Sequence, residues 1–370
     1  VFGVLETDVL VIGGGPAGLC AAIEASSVGA SVVVVDSDLR LGGQLIKQTH
    51  KFFGSAKEYA GTRGFVIADV LLEELGKNEG RVKTFTNTTA IGYYPKEDVV
   101  ACVRGEEEYF KVRARAIVVA TGAQEKLIPF PNNHLPGVYG AGAVQTFMNV
   151  YGVVPGRRAL MVGAGNIGLI VSYQLLQAGV DVAGIVEFMP RVGGYWVHAA
   201  KVRRLGVPIY LRHTIKEAHG KEVLEGVTVM RLDGEGRPTG DEFYVECDVL
   251  CLAVGLSPTL DILWQAGCEM KYVPQLGGFV PIRNDQMRTS NPKFWVAGDA
   301  AGIEEASSAM LEGRVAGLSA ASYLGYRPAD FEVRMKEYWG RLWALRAGEP
   351  GVKVMEGLRH VFSCPAPISL

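Results

Sequence analysis

The sequence predicts an α/β protein in which one strand–turn–helix–strand unit is used twice, the second copy inserted into the domain begun by the first. Three observations carry this. Residues 7–43, TDVLVIGGGPAGLCAAIEASSVGASVVVVDSDLRLGG, have a counterpart in residues 157–194, RRALMVGAGNIGLIVSYQLLQAGVDVAGIVEFMPRVGG. Gly13 and Gly18 match Gly163 and Gly168 at a spacing of 150, and Asp36 and Gly43 match Glu187 and Gly194 at 151, so one inserted residue relates the registers. Finally, TSNPKFWVAGDAAGIEEASSAMLEGRVAG (residues 289–317) reads as a short apolar strand, a Gly-Asp turn and a helix from about Glu305, by which the chain returns to complete the first domain.

Taken in order, the apolar run before each glycine turn is a buried parallel strand. In Gly13-x-Gly15-x-x-Gly18, the first glycine permits the turn, the second admits a pyrophosphate close to the backbone, and the third lets the helix pack on the strand. Pro16 and Ala17 open that helix, whose N-terminus offers N–H groups and partial positive charge to a diphosphate. Asp36 is placed to accept a hydrogen bond from a ribose hydroxyl, with Ser37 beside it, and Gly42, Gly43 and Gln44 close the unit. The second copy offers Gly163, Gly165, Asn166, Ile167, Gly168 and Glu187 for the same task. A 2′-phosphate about 4 Å from Glu187 would be repelled by roughly 4 kcal/mol per unit charge at an effective dielectric near 20. Phe188 and Met189 follow Glu187, so NAD is favoured over NADP, with Arg191 near enough to swing in and another adenine nucleotide as the alternative.

After each unit come three β-rich runs with period-two patterning, which predict a β-meander. The first set is VKTFTNTTAIGYY, DVVACVRG and YFKVRARAIVVATG; the second is VPIYLRHTIKEAHG, GVTVMRLDGEG and EFYVECDVLCLAVG. Each ends in a buried strand leading to a glycine, Ala120-Thr121-Gly122 and Ala253-Val254-Gly255. At Gly298-Asp299 the carboxylate suits a polyol such as the ribityl chain of a flavin. The helix beginning at Ala306 and Ser307 would then face the flavin's pyrimidine edge. The fold class is thus α/β with two Rossmann-like dinucleotide-binding domains, the second inserted into the first, each with a β-meander, plus a short helical C-terminal tail. The expected boundaries are 1–130 and 259–328 for the first domain, 131–258 for the inserted domain and 329–370 for the tail.

Composition excludes several functions. The net charge of −2 gives no basic surface for nucleic acid. No apolar run reaches the ~20 residues of a membrane helix; the best stretch, 159–176, is broken by Gly163, Gly165 and Gly168. Glu6 and Asp8 stand where an apolar leader would be. Six scattered cysteines include no C-x-x-C, so no metal site is expected and the thiols should be buried and reduced in a cytoplasmic protein, peripheral to a membrane only through partners. Cys247 and Cys251 are expected on one face of a single strand.

With both repeats, the ATG strand end and the Gly-Asp helix in order, the chain resembles the two-dinucleotide-binding-domain FAD/NAD(P) oxidoreductases. ATGAQEKLIPFPNNHLPGVYGAGAVQ (residues 120–145) and AGIEEASSAMLEGRVAG (residues 301–317) are similar to the α subunits of dye-linked L-proline dehydrogenase, heterotetrameric sarcosine oxidase, opine oxidase and hydrogen cyanide synthase. That resemblance implies an FAD domain (1–130 and 259–328) with an inserted NAD(P) domain (131–258), in an α subunit carrying FAD and a second adenine-nucleotide site, with a separate flavoprotein β subunit oxidising the amine. Carried over, Gly13, Gly15, Gly18, Asp36, Gly43, Thr121, Gly122 and Asp299 would contact FAD, and Gly163, Gly165, Gly168 and Glu187 would line the NAD site. Several members have a cysteine-rich iron–sulfur module. Here the last stretch offers only Cys364, so any cluster is expected on another polypeptide, a small iron–sulfur protein.

Many pyridine-nucleotide disulfide reductases place a reactive cysteine pair soon after the Gly-Gly turn. GGQLIKQTHK (residues 42–51) instead supplies Lys47 and His50, the candidate catalytic residues, and no thiol. Hydride exchange between NAD(H) and flavin is therefore expected. Met335, Tyr338, Trp339, Leu342, Trp343 and Leu345 form an apolar face on a tail helix that either packs on the FAD domain or docks a second subunit. Three readings stand: the α subunit of an amine or imino-acid (proline, hydroxyproline, sarcosine or opine) dehydrogenase or oxidase, a free-standing NADH:acceptor oxidoreductase, and a nucleotide-holding scaffold.

Overall fold

The computed structural model describes residues 3–52 and 55–362. The chain forms two compact units, Val1–Gln124 with Ser257–Leu370, and Glu125–Leu256.

In the first unit, β1 (Val4–Ile12), β2 (Val32–Val35), β3 (Val82–Phe85), β4 (Thr88–Tyr94), β5 (Val99–Arg104) and β6 (Glu108–Val119) form one sheet in the order β3-β2-β1-β6-β5-β4. Strand β2 is four buried valines, the signature of a parallel strand covered on both faces. Strand β6 is long enough to serve twice. It runs parallel to β1 along most of its length, its first half pairs antiparallel with β5, and Ile117–Val119 pair with the returning strand Phe294–Val296. That return brings the helix Ala306–Tyr323 against α1 (Pro16–Ser27) at backbone contact. A Cβ on Gly313 would lie 2.1 Å from the Ala17 carbonyl oxygen, and one on Gly317 2.1 Å from that of Ala21.

The tail belongs to this unit. Its helix Phe331–Arg346 places Met335, Tyr338, Trp339 and Leu342 in the unit's core, with Trp343 and Leu345 packed at the margin. The apolar face is thus covered within the chain. Cys364 lies outside the described residues.

The second unit has a five-stranded parallel sheet in the order Ile209–Leu211, Asp181–Glu187, Arg158–Val162, Val249–Leu252 and Val138–Gly140. A three-stranded antiparallel sheet, His213–His219, Gly226–Leu232 and Pro238–Glu246, shares a core with one of its faces. Helices Ala141–Asn149, Asn166–Gln177 and Trp196–Arg204 contribute to the core on the other. EFYVECDVLCLAVG, expected as one strand, breaks at Cys247-Asp248. The Asp248 carboxylate accepts hydrogen bonds from the backbone N–H groups of Arg157 and Arg158 at 2.8–3.0 Å, and the chain passes there from the antiparallel to the parallel sheet. As a result Cys247 enters one core and Cys251 the other, and the two do not share a face. Among the described residues no helix is long and apolar enough to cross a membrane.

Candidate functional site

At the C-terminal end of β1, Gly13 donates its N–H to Val35 O (2.8 Å) and adopts φ +103°. A side chain there is impossible, since its Cβ would lie 2.2 Å from the Ala120 carbonyl oxygen. A Cβ on Gly18 would sit 1.7 Å from Gly13 O. Gly42 N–H donates to Gly14 O (2.8 Å), and a Cβ on Gly43 would come within 2.8 Å of the Gly15 Cα. The Gly-Gly pair is therefore pressed against the glycine turn, which the sequence did not reveal. Helix α1 starts at Pro16 with no side-chain cap and no acid in its first turn. Its unneutralised N-terminal dipoles suit a diphosphate, so the cradle fits a dinucleotide.

Asp36 is 8 % exposed and has a structural role that its place at the strand end did not announce. It accepts from Gly14 N–H (2.5 Å) and Asp38 N–H (2.7 Å), bracing the turn while each oxygen keeps a lone pair for a ligand hydroxyl. Burial raises its pKa, and those two donors partly offset the rise. Ser37 and Gln44 are exposed beside this turn.

The second copy repeats these contacts. Gly163 donates to Val186 O (2.7 Å) at φ +106°, and its Cβ would lie 2.3 Å from the Ala253 carbonyl oxygen. A Cβ on Gly168 would lie 2.0 Å from Gly163 O, whereas one on Gly165 would meet nothing within 4 Å. Glu187, also 8 % exposed, accepts from Ala164 N–H (2.6 Å) and Met189 N–H (2.8 Å). Gly194 N–H donates to Ala164 O (2.9 Å). The helix Asn166–Gln177 has neither a side-chain cap nor an acid in its first turn. Asn166 turns its side-chain oxygen to Tyr195 N–H (2.8 Å), Ile167 is 41 % exposed at the helix start, and Gly255 has φ +116°. By contrast, Glu125 already accepts from Gly142 N–H (2.7 Å) in the first turn of Ala141–Asn149, which removes that helix as an anion site.

The Gly298-Asp299 turn comes to α1, where a Cβ on Gly298 (φ +71°) would lie 2.8 Å from the Ala17 Cβ. Gly298 N–H donates to Glu312 (3.0 Å), and Asp299 accepts from Glu304 N–H (3.2 Å). Asp299 keeps part of its surface open, yet burial of its carboxyl, reinforced by the charges of Glu304 and Glu312, pushes its pKa up to about 7. The helix starting at Ala306 and Ser307 is again uncapped by side chains and free of acid in its first turn. Nearby, Thr121 donates its hydroxyl to Thr259 O (2.7 Å), and Gly122 (φ +68°) faces open space. The fold thus gathers two helix N-termini, the glycine turn and Asp299 around Ala17. Gly313 and Gly317 hold the helix Ala306–Tyr323 to α1, and Glu304, Glu312 and Arg346 support the Gly298-Asp299 turn alone; none of these roles was read from the sequence, where only the G-x-x-x-G spacing of Gly313 and Gly317 was a legible signal.

Lys47 ends the short helix Gly43–Lys47, half-buried, and its charge acts on Asp36. His50 is half-buried too, its ring stacked on Phe52 at 5.9 Å between centroids. Cys20, Cys102, Cys247, Cys251 and Cys268 are all buried free thiols. Burial pushes the first three up to about 12 and raises the other two, so none is poised as a thiolate.

Residues 7–313 match the model of the pyridine nucleotide-disulphide oxidoreductase family. The chain belongs to that family. It is an oxidoreductase of an FAD/NAD(P)-binding class, although no cysteine pair among its described residues represents the disulphide of the family name. An opine oxidase subunit from Rhizobium meliloti is 29 % identical over 86 % of this chain and 63 % of its own length. The alpha subunit of sarcosine oxidase from Corynebacterium sp. (strain P-1) is 29 % identical over 87 % of this chain but only 33 % of its own length. The L-proline dehydrogenase from P. horikoshii superposes with a TM-score of 0.70 at 26 % identity, covering 90 % of this chain and 59 % of that one. This pyridine nucleotide-disulphide oxidoreductase therefore spans less than two thirds of each.

Proposed function

We propose that the chain is the FAD- and NAD-binding subunit of a hetero-oligomeric amine or imino-acid dehydrogenase or oxidase, working without a redox disulfide. The observation that carries this is the agreement of the two glycine turns, contact for contact, each opening an uncapped helix beside a buried acid. FAD and NAD(H), when bound, supply hydride chemistry that needs no sulfur. For FAD, the turn Gly13–Gly18 and the Pro16–Ala17 helix start hold the diphosphate, Asp36 the ribose and Asp299 the ribityl chain. Thr121, Gly122, Gly43 and the helix start at Ala306-Ser307 border the remainder, and the latter's partial positive charge favours an electron-rich pyrimidine edge. For NAD, Gly163, Gly165, Gly168 and Glu187 take the equivalent parts, with Ala253 and Gly255 at the adjoining strand end. Lys47 and His50 remain the candidates for charge stabilisation and proton transfer beside the flavin.

Support for the amine class comes from the named relatives, which belong to an opine oxidase and a sarcosine oxidase. A free-standing NADH:acceptor oxidoreductase is the second reading, favoured by one observation: the aromatic face of the tail, a natural seat for a partner chain, is buried. Anaerobic mixing of the FAD-loaded protein with NADH tests the shared core of both readings, and flavin bleaching should survive iodoacetamide because the described thiols are inaccessible. Isolation of the native protein with its co-purifying chains, assayed on proline, hydroxyproline, sarcosine and opines, then separates them. Turnover of a dye with NADH by the lone chain, and of no amine by any assembly, would reject the hetero-oligomeric reading.

A further inference from the structure

The tail helix ends in a residue that touches both supports of the Gly298-Asp299 turn. Arg346 is 3 % exposed and lies beyond the stretch that matches the family. Its Nε donates to Glu304 Oε2 (2.9 Å) and its Nη2 to Glu304 Oε1 (2.5 Å), a bidentate fork; the same Nη2 reaches Glu312 Oε1 (2.6 Å). Each of the two glutamates in turn supports one residue of the turn. Glu312 Oε2 accepts the Gly298 N–H at 3.0 Å, and the Glu304 N–H donates to Asp299 Oδ1 at 3.2 Å. A planar guanidinium can hold two carboxylates in fixed orientation, which the point charge of a lysine cannot. The arrangement is costly, because three charged side chains are buried and Arg346 Nη1 has no acceptor. Stability alone is a poor reason to keep such a cluster, since apolar packing of equal volume commonly does as well.

From these contacts we propose that Arg346 is a positioning residue for flavin recognition: through Glu304 and Glu312 it fixes the Gly298-Asp299 turn that receives the ribityl chain. This rests on the assignment of FAD to the first unit. It acts on one part of the ligand only, because the adenosine diphosphate part belongs to the Gly13 turn and Asp36, which Arg346 does not support.

The test measures FAD and ADP binding to the full-length apoprotein and its Arg346→Lys and Arg346→Met variants, alongside thermal melting. Arg346→Lys keeps the counter-charge and should fold, so the comparison stands even where Arg346→Met fails to fold. Expected is an FAD dissociation constant about tenfold or more above wild type, with ADP affinity held within about twofold. Equal weakening of FAD and ADP would mean general loosening of the unit and would overturn the proposal, as would a folded Arg346→Lys protein that binds FAD like wild type. Wild-type protein that takes up no FAD would bring down both this role and the cofactor assignment beneath it, whereas normal uptake by wild type and variants alike removes the positioning role alone.

Discussion

At Asp299, burial first and the Glu304 and Glu312 charges after it raise the pKa from 3.8 to about 7. A carboxyl raised in this way favours the folded state fully below its unfolded value and loses that contribution as pH climbs through the folded value. Between about pH 4 and pH 7 the apoprotein should therefore lose stability by about 1.4 kcal/mol per pH unit from this group. The Asp299→Asn apoprotein should lack that slope and be the more stable form at pH 8, which melting curves across this range will read. A ribityl hydroxyl donated to the ionised carboxylate reverses the preference, so FAD affinity of the wild type should rise with pH up to about 7 and that of the variant should not. Asp36 and Glu187 were legible in the sequence as strand-end acids; that they also brace Gly14 and Ala164 was not, because a backbone hydrogen bond from a neighbouring turn leaves no mark on residue identity.

Among the elements, the helix Ala306–Tyr323 is held to α1 by glycine, and this can be tested against propensity. An exposed helical Gly→Ala change gains up to ~1 kcal/mol. Gly340, in the helix Phe331–Arg346, has open space where a Cβ would go, and Gly340→Ala should show that gain in a denaturant titration. Gly317→Ala should instead cost about 1–3 kcal/mol, because its Cβ would meet the Ala21 carbonyl oxygen at 2.1 Å and force the backbones apart. Equal effects at the two positions would refute the close packing. The other element the pattern misjudged is the run through Cys247-Asp248. Period-two patterning continues across that point, and only the bonds of Asp248 to Arg157 and Arg158 divide it into strands of two sheets.

For the molecule as a whole, the second unit closes its cores without help. Both clusters, one on either face of its parallel sheet, are built from residues of Glu125–Leu256. Expressed alone, residues 125–256 should melt cooperatively and bind NAD; a fragment with secondary structure but no cooperative transition would contradict this. The first unit, in contrast, depends on chain that returns late. The strand Phe294–Val296, the helix Ala306–Tyr323 and the tail helix all contribute to the core begun by β1 and α1. Truncation before the tail should consequently uncover the apolar surface that Met335, Tyr338, Trp339 and Leu342 now cover and leave Glu304 and Glu312 without Arg346.

By itself, the sequence determined the two glycine turns, the strands and helices around them, the return at Gly298-Asp299 and the lack of a C-x-x-C. Those are local facts, written in short-range spacing and in steric demands that only glycine meets. Tertiary structure decided which surfaces remain free and what supports the site: the tail's aromatic face turned inward, Cys247 and Cys251 parted into separate cores, and Arg346 reached two acids, one of them 34 residues earlier in the chain. The physical reason is that burial and ion pairing depend on which residues meet across the fold, and distance along a chain does not record such meetings.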